Sequence, residues 1–191
     1  MAFLVADKLV FLHVPKTAGV WVKTVLPKAG VKLAGKLGKD HQVVTPPPGR
    51  RAFMFVRHPA NWLKSMWMEM DAVGTGIENS PAGIFEEWYR KDECFCDFVE
   101  RVLEEKTPPI SLMFEEYERP CWMVARVEDL PEALCQILDA AGQPYKAHTI
   151  ENWHRENVTD HALRERTRFG QHQRERLLAA ESAFCKRWDY R

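Results

Sequence analysis

Three times along this chain a short apolar run ends in a polar turn and gives way to a helical pattern. Residues 9–14 (LVFLHV) lead into PKTAG at 15–19 and then into an apolar helical spacing over 20–26. Residues 52–56 (AFMFV) lead into Arg57-His58-Pro59 and a helical pattern through Met70, with Pro59 suited to a first helical position. Residues 121–127 (CWMVARV) lead into Glu128-Asp129-Leu130-Pro131 and a helical stretch over 132–141 that Gly142 closes. Uninterrupted apolar runs of this length fit strands buried on both faces, and successive parallel strands need a crossover that is usually a helix. The repeated unit predicts an α/β fold, a three-layer sandwich with a parallel sheet flanked by helices.

The rest of the chain fits around that frame. Its 191 residues, 46% of them hydrophobic, suffice for one sizeable core, so a single domain over 1–191 is expected, with an acidic, aromatic helical insertion at 71–120. The stretch from Asp160 reads as two helices separated near Gly170. No run of 18 apolar residues occurs, and the first strand-like segment begins too early to leave room for a leader. Five cysteines form an odd, sparse set that fits reduced thiols. A cytoplasmic protein without a membrane anchor is expected. Cys94 and Cys96 form a lone CxC, better explained as small buried helix residues than as metal ligands.

Zero net charge hides a marked asymmetry. Residues 1–65 carry eleven Lys or Arg against two acids, whereas residues 66–120 carry five against fourteen. A basic segment confined to the surroundings of one turn points to a local anion site rather than to nucleic acid. In an open parallel sheet such sites lie beyond the carboxyl ends of the strands, where helix N-termini present free N–H groups. HVPKTAG and VRHPANWLKS both fall there. In the first, Gly19 lets the backbone approach an anion, Lys16 supplies a cation and Thr17 a hydroxyl donor. The turn lacks the glycine spacing of a Walker A loop, so a nucleoside-triphosphate enzyme has only Asp129 as a weak candidate acid.

Together these two stretches resemble the cofactor motifs of sulfotransferases that use 3′-phosphoadenosine 5′-phosphosulfate (PAPS). Lys16, Thr17 and Gly19 match the first motif; Arg57, Pro59 and Ser65 match the second. RVEDLPEALCQIL and the ending ESAFCKRWDY are similar to later landmarks of the family, leaving 71–120 as the main stretch it does not touch. The resemblance implies a P-loop-like sulfotransferase fold. It also implies that Lys16, Thr17, Ala18, Gly19, Val20 and Trp21 surround the 5′-phosphosulfate, while Arg57 and Ser65 hold the 3′-phosphate. The departure is at Val20, where many members carry a hydroxyl.

The implied reaction is in-line transfer of a sulfuryl group to a hydroxyl or amine, possibly on a carbohydrate, with Lys16 stabilising charge on the leaving phosphate. His41 is the expected base, with Glu69, Glu115 and Glu116 as carboxylate alternatives. His13 reads as structural. His148, His154, His161 and His172 have no ligand spacing, so no metal is expected. Arg57 alone would read as a salt-bridge partner of Glu128 or Asp129, and Arg164, Arg166, Arg168, Arg174 and Arg176 as a solvated helix face. Trp67, Trp88, Tyr89 and Trp122 are core residues or platforms for an acceptor ring. A non-catalytic module that keeps only the anion site is the alternative that Val20 motivates.

Overall fold

A computed structural model of the chain describes residues 1–39, 42–74, 88–105, 107–154 and 165–191. The chain divides into two compact units, Met1–Arg57 with Glu116–Val158, and His58–Glu115 with Thr159–Arg191.

The first unit holds a five-stranded sheet of β1 (Ala2–Val5), β2 (Leu9–Leu12), β3 (Leu33–Leu37), β4 (Arg51–Val56) and β5 (Cys121–Arg126), in the order β3-β1-β2-β4-β5. The three apolar runs read from the sequence are β2, β4 and β5, and they form a contiguous parallel block. Phe11 lies opposite Phe53, and Val56 opposite Arg126. The sheet as a whole is mixed, which corrects the expectation of a wholly parallel one. β1 folds back on β2 as an antiparallel hairpin and β3 pairs antiparallel with β1. Neither added strand carries a strong signal. The β1–β2 turn has no glycine or asparagine, so Ala6 itself takes the left-handed backbone at φ 48°. β3 (LAGKL) contains Gly and Lys and is exposed through its middle, a composition poor for a strand except at an edge.

One face of the sheet carries the unit's core. Phe3, Val5, Leu9, Phe11, Phe53 and Phe55 cluster with Trp21, Val22, Val25 and Leu26 of α1 (Gly19–Lys28). The cluster continues through Leu134, Ile137 and Leu138 of α5 (Glu132–Ala140) and Ile150 of α6 (Ala147–Glu151). The Phe11 and Phe53 rings stack with centroids 5.3 Å apart. Each such side chain contributes roughly 1.5–3 kcal/mol on burial. Val10, Leu12, Ala52, Met54 and Val56, the alternate residues of the same strands, are buried as well, which is why these runs do not alternate with polar residues. Gly142, at φ 60°, closes α5 as expected, its N–H bonded to the Asp139 carbonyl at 2.8 Å.

The second unit is helical: α2 (Pro59–Val73), α3 (Phe95–Leu103), α4 (Pro109–Glu118), α7 (Gln173–Ala180) and α8 (Ser182–Arg187), with the last turn of α4 beyond the unit's boundary. Pro59 does occupy the first position of α2. Aromatic pairs join the helices, with Trp62 against Phe114 at 6.1 Å, Trp67 against Phe95 at 5.8 Å and Phe114 against Phe184 at 5.1 Å. The acidic stretch contributes α3 and α4, while its residues 75–87 and 106 lie outside the described residues. Near the C-terminal end Glu165 and Arg166 are helical and the chain leaves the helix over 167–172, so a break does fall near Gly170, and a further break falls at Glu181. The buried Glu181 carboxylate accepts the N–H groups of Ile110 (3.1 Å) and Ser111 (2.9 Å), thereby capping the start of α4. Among the described residues no helix is long and apolar enough to cross a membrane.

Candidate anion-binding turn

Parallel pairing of β2 with β4 brings residues 41 positions apart into contact. Beyond the carboxyl end of β2 the chain turns through Pro15–Ala18 into α1, and beyond that of β4 stands Arg57. The Arg57 Nη1 donates to the Lys16 carbonyl at 3.1 Å. The two sequence motifs are thus joined at Lys16 and Arg57 within one unit.

The backbone of the turn is unusual. Lys16 and Ala18 both have left-handed φ values, 61° and 60°, whereas Thr17 between them does not. A left-handed residue with a side chain costs roughly 1–2 kcal/mol, so this conformation persists only because surrounding contacts hold it. Such alternation turns successive N–H groups toward a common concavity, the geometry of an anion-binding nest. Helix α1 then begins without help. Ala18 at its N-cap makes no side-chain cap bond, and no acidic residue lies in the first turn. The first helical bond comes from Val22 N–H to the Ala18 carbonyl, leaving the N–H groups of Gly19, Val20 and Trp21 without acceptors among the described residues. An acceptor of negative charge suits all three.

The expected site residues fall into distinct groups. Lys16 is half-buried in the turn. Thr17 is fully buried, and its hydroxyl donates inward to the Val14 carbonyl at 2.9 Å, which braces the turn with the proton the sequence reading gave to a ligand. Gly19 has a role that the sequence did not reveal: a Cβ there would lie 1.9 Å from the His13 imidazole. His13 is therefore the roof of the turn, packed also near Phe11 with ring centroids 6.0 Å apart. Val20 is 43% exposed, and Trp21 belongs to the core. Ser65 lies on α2, in the other unit, and is half-buried. His41, the expected base, lies outside the described residues, as do Arg164 and His161.

The acid at the end of β5 is already paired. Asp129 is held by Arg126 in a two-pronged ion pair, Nε to Oδ2 at 2.7 Å and Nη2 to Oδ1 at 2.8 Å. That carboxylate is a structural partner at the end of β5, not a free metal-binding acid. Among the described residues no group of three or more His, Cys, Asp or Glu could hold a metal ion.

Elsewhere, the second unit uses its candidate residues structurally. Arg166 pairs with Asp71 (3.0 Å), Arg168 with Glu165, and Arg176 with Glu100 (2.7 Å). Arg174 donates to the Arg191 carbonyl. His58 accepts the Ala60 N–H at Nδ1 (3.2 Å) and contacts the Arg191 carbonyl through Nε2 (3.1 Å), which fixes the Nε2–H tautomer. Trp67 and Trp88 are buried core residues, whereas Trp122 of the first unit is 38% exposed beneath the Arg51 guanidinium, 4.0 Å from its ring centroid. Cys94 and Cys96 depart from the expected buried pair. Cys94 is exposed and caps α3 by accepting the Asp97 N–H, and Cys96 is half-buried, its Sγ on the Arg168 carbonyl.

The chain matches no protein-family model, no curated protein and no solved structure.

Proposed function

We propose that the chain is a PAPS-dependent sulfotransferase whose Lys16 turn binds the 5′-phosphosulfate of the donor. The observation that carries the reading is the Arg57 bond to the Lys16 carbonyl, which joins the first residues of the two cofactor-like motifs at a turn whose helix leaves three N–H groups without acceptors among the described residues. Phosphosulfate suits this turn because its oxygens accept from N–H groups and its charge complements both Lys16 and the helix dipole. A magnesium-bound triphosphate suits it less, since the Thr17 hydroxyl is turned to Val14 and Asp129 to Arg126.

PAPS supplies an activated sulfuryl group. The acceptor oxygen or nitrogen forms a bond to sulfur as the bond from sulfur to the phosphate oxygen breaks, and the acceptor proton passes to a base, for which His41 is proposed. Lys16 and the α1 N–H groups stabilise the charge that grows on the leaving phosphate, an effect typically worth about 3 kcal/mol per donor. Arg57 is assigned to the 3′-phosphate. The acceptor is a small molecule or carbohydrate rather than nucleic acid or a membrane surface. Five free cysteines support a reducing, cytoplasmic setting.

One observation favours a second reading. With the Thr17 hydroxyl committed inward and Val20 apolar, the turn itself offers no side-chain hydroxyl to a ligand, which fits a module that binds the nucleotide without turnover. Radiolabelled PAPS incubated with panels of sugars, phenols and amines decides between them. Label transfer that Lys16→Ala abolishes supports the enzyme; binding without transfer to any acceptor supports the module.

A further inference from the structure

The bond between Arg57 and Lys16 has a consequence for how the turn works. Arg57 donates to a main-chain carbonyl, and that carbonyl belongs to the first of the two left-handed residues. The Lys16 carbonyl is part of the Lys16–Thr17 peptide, whose other end is the Thr17 N–H, so its orientation also sets where that N–H points. Thr17 fixes the same stretch from the other side through Val14. His13 closes it over Gly19. The strained backbone is therefore held by these contacts among others, and the one from Arg57 comes from beyond a different strand.

We propose that Arg57 is a positioning residue for the Lys16 turn: its guanidinium holds the left-handed backbone that gathers the turn's N–H groups. Anion binding at the turn then depends on Arg57 even when the ligand offers Arg57 nothing to grip. The inference rests on the nucleotide reading above and adds a coupling between its two ends. A guanidinium that touches both a ligand's 3′-phosphate and the Lys16 carbonyl links occupancy at one end to geometry at the other. Lysine cannot replace it, because a single ammonium lacks the planar fork that serves two acceptors in fixed directions.

The test titrates adenosine 5′-phosphate and adenosine 3′,5′-bisphosphate calorimetrically into the full chain, as wild type, Arg57→Lys and Arg57→Gln, with melting temperatures recorded. The expected result is an affinity for adenosine 5′-phosphate about tenfold weaker in both variants, although this ligand has no 3′-phosphate. Amide resonances of Thr17, Ala18 and Gly19 should also move in the ligand-free variants. Unchanged affinity for adenosine 5′-phosphate, with only the bisphosphate weakened, overturns the inference and leaves the nucleotide reading intact. A wild type that binds neither ligand overturns both. If the variants unfold, the wild-type Arg57 guanidinium resonance answers instead: perturbation by adenosine 5′-phosphate supports the role, and indifference to a bound ligand contradicts it.

Discussion

The His13 imidazole lies where a side chain on residue 19 would have to go: a Cβ built on Gly19 would sit 1.9 Å from two of its ring atoms. The glycine of the anion turn is thus required by packing inside the protein, whatever the turn holds. Gly19→Ala is expected to destabilise the fold by about 1–3 kcal/mol, the usual cost of an overpacked site. Adding His13→Ala should recover part of that loss, because the two residues share one space. Urea denaturation of both single variants and the double variant checks this; additive losses would contradict it.

Val20 is exposed in the first turn of α1, with its carbonyl engaged by the Thr24 hydroxyl at 3.0 Å. A hydroxyl placed there gains a charge-assisted bond to a bound anion without disturbing the core. Val20→Ser is expected to tighten adenosine 3′,5′-bisphosphate by roughly 1.5 kcal/mol, about tenfold, with little change in melting temperature. Calorimetric titration measures it, and an unchanged or weaker affinity would place the ligand away from this face of the helix.

Burial pushes the Glu181 carboxyl above its ordinary value of 4.5, against the opposing pull of hydrogen bonds from Ser111 and Ile110. A folded-state value above the unfolded one means that the folded chain holds the proton more tightly between the two. This group's contribution is therefore fully present below the unfolded value and is lost as pH rises through the raised folded value. Glu181→Gln should flatten that part of the stability profile. Denaturant midpoints measured upward from pH 4.5 give the comparison, and parallel profiles for the two proteins would contradict the assignment.

Thiol chemistry should divide the cysteines. Burial, with Glu118 adding to it, pushes the Cys121 thiol up to about 12, and its Sγ donates to the Tyr117 carbonyl at 3.3 Å. Cys94 is exposed at the start of α3. An aromatic disulfide reagent is expected to label Cys94 quickly and the half-buried Cys121 slowly, since the thiolate is the reactive form. Mass spectrometry of peptides at successive times would show the order, and labelling of Cys121 as early as Cys94 would contradict it.

The parallel block was legible because β2 and β4 are buried on both faces and so carry unbroken apolar runs that end in turns, and because the half-buried β5 repeats the pattern of a largely apolar run followed by a polar turn and a helix. β1 and β3 were not, because one is four residues long with an alanine in the left-handed turn position and the other is an exposed edge strand containing glycine. Within the turn, residue types announced an anion site at Lys16, yet two of its contacts run against the simple reading. Thr17 looks like a ligand donor but braces Val14, a choice that depends on the rotamer and not on the residue type. His13 and Gly19 are six residues apart in the chain, and only the turn's left-handed residues fold one over the other. That Arg57 would reach the Lys16 carbonyl has no sequence signal, because an arginine at a strand end can bond a carbonyl or a carboxylate alike.

The central claim is that the Lys16 turn binds the 5′ end of a nucleotide related to PAPS. Calorimetric titration of adenosine 3′,5′-bisphosphate into the wild type and Lys16→Ala, without magnesium, tests it most directly. Saturable one-to-one binding by the wild type, weakened at least about tenfold by the loss of this cation, is the predicted result. Absence of binding, or equal binding by both proteins, would contradict it.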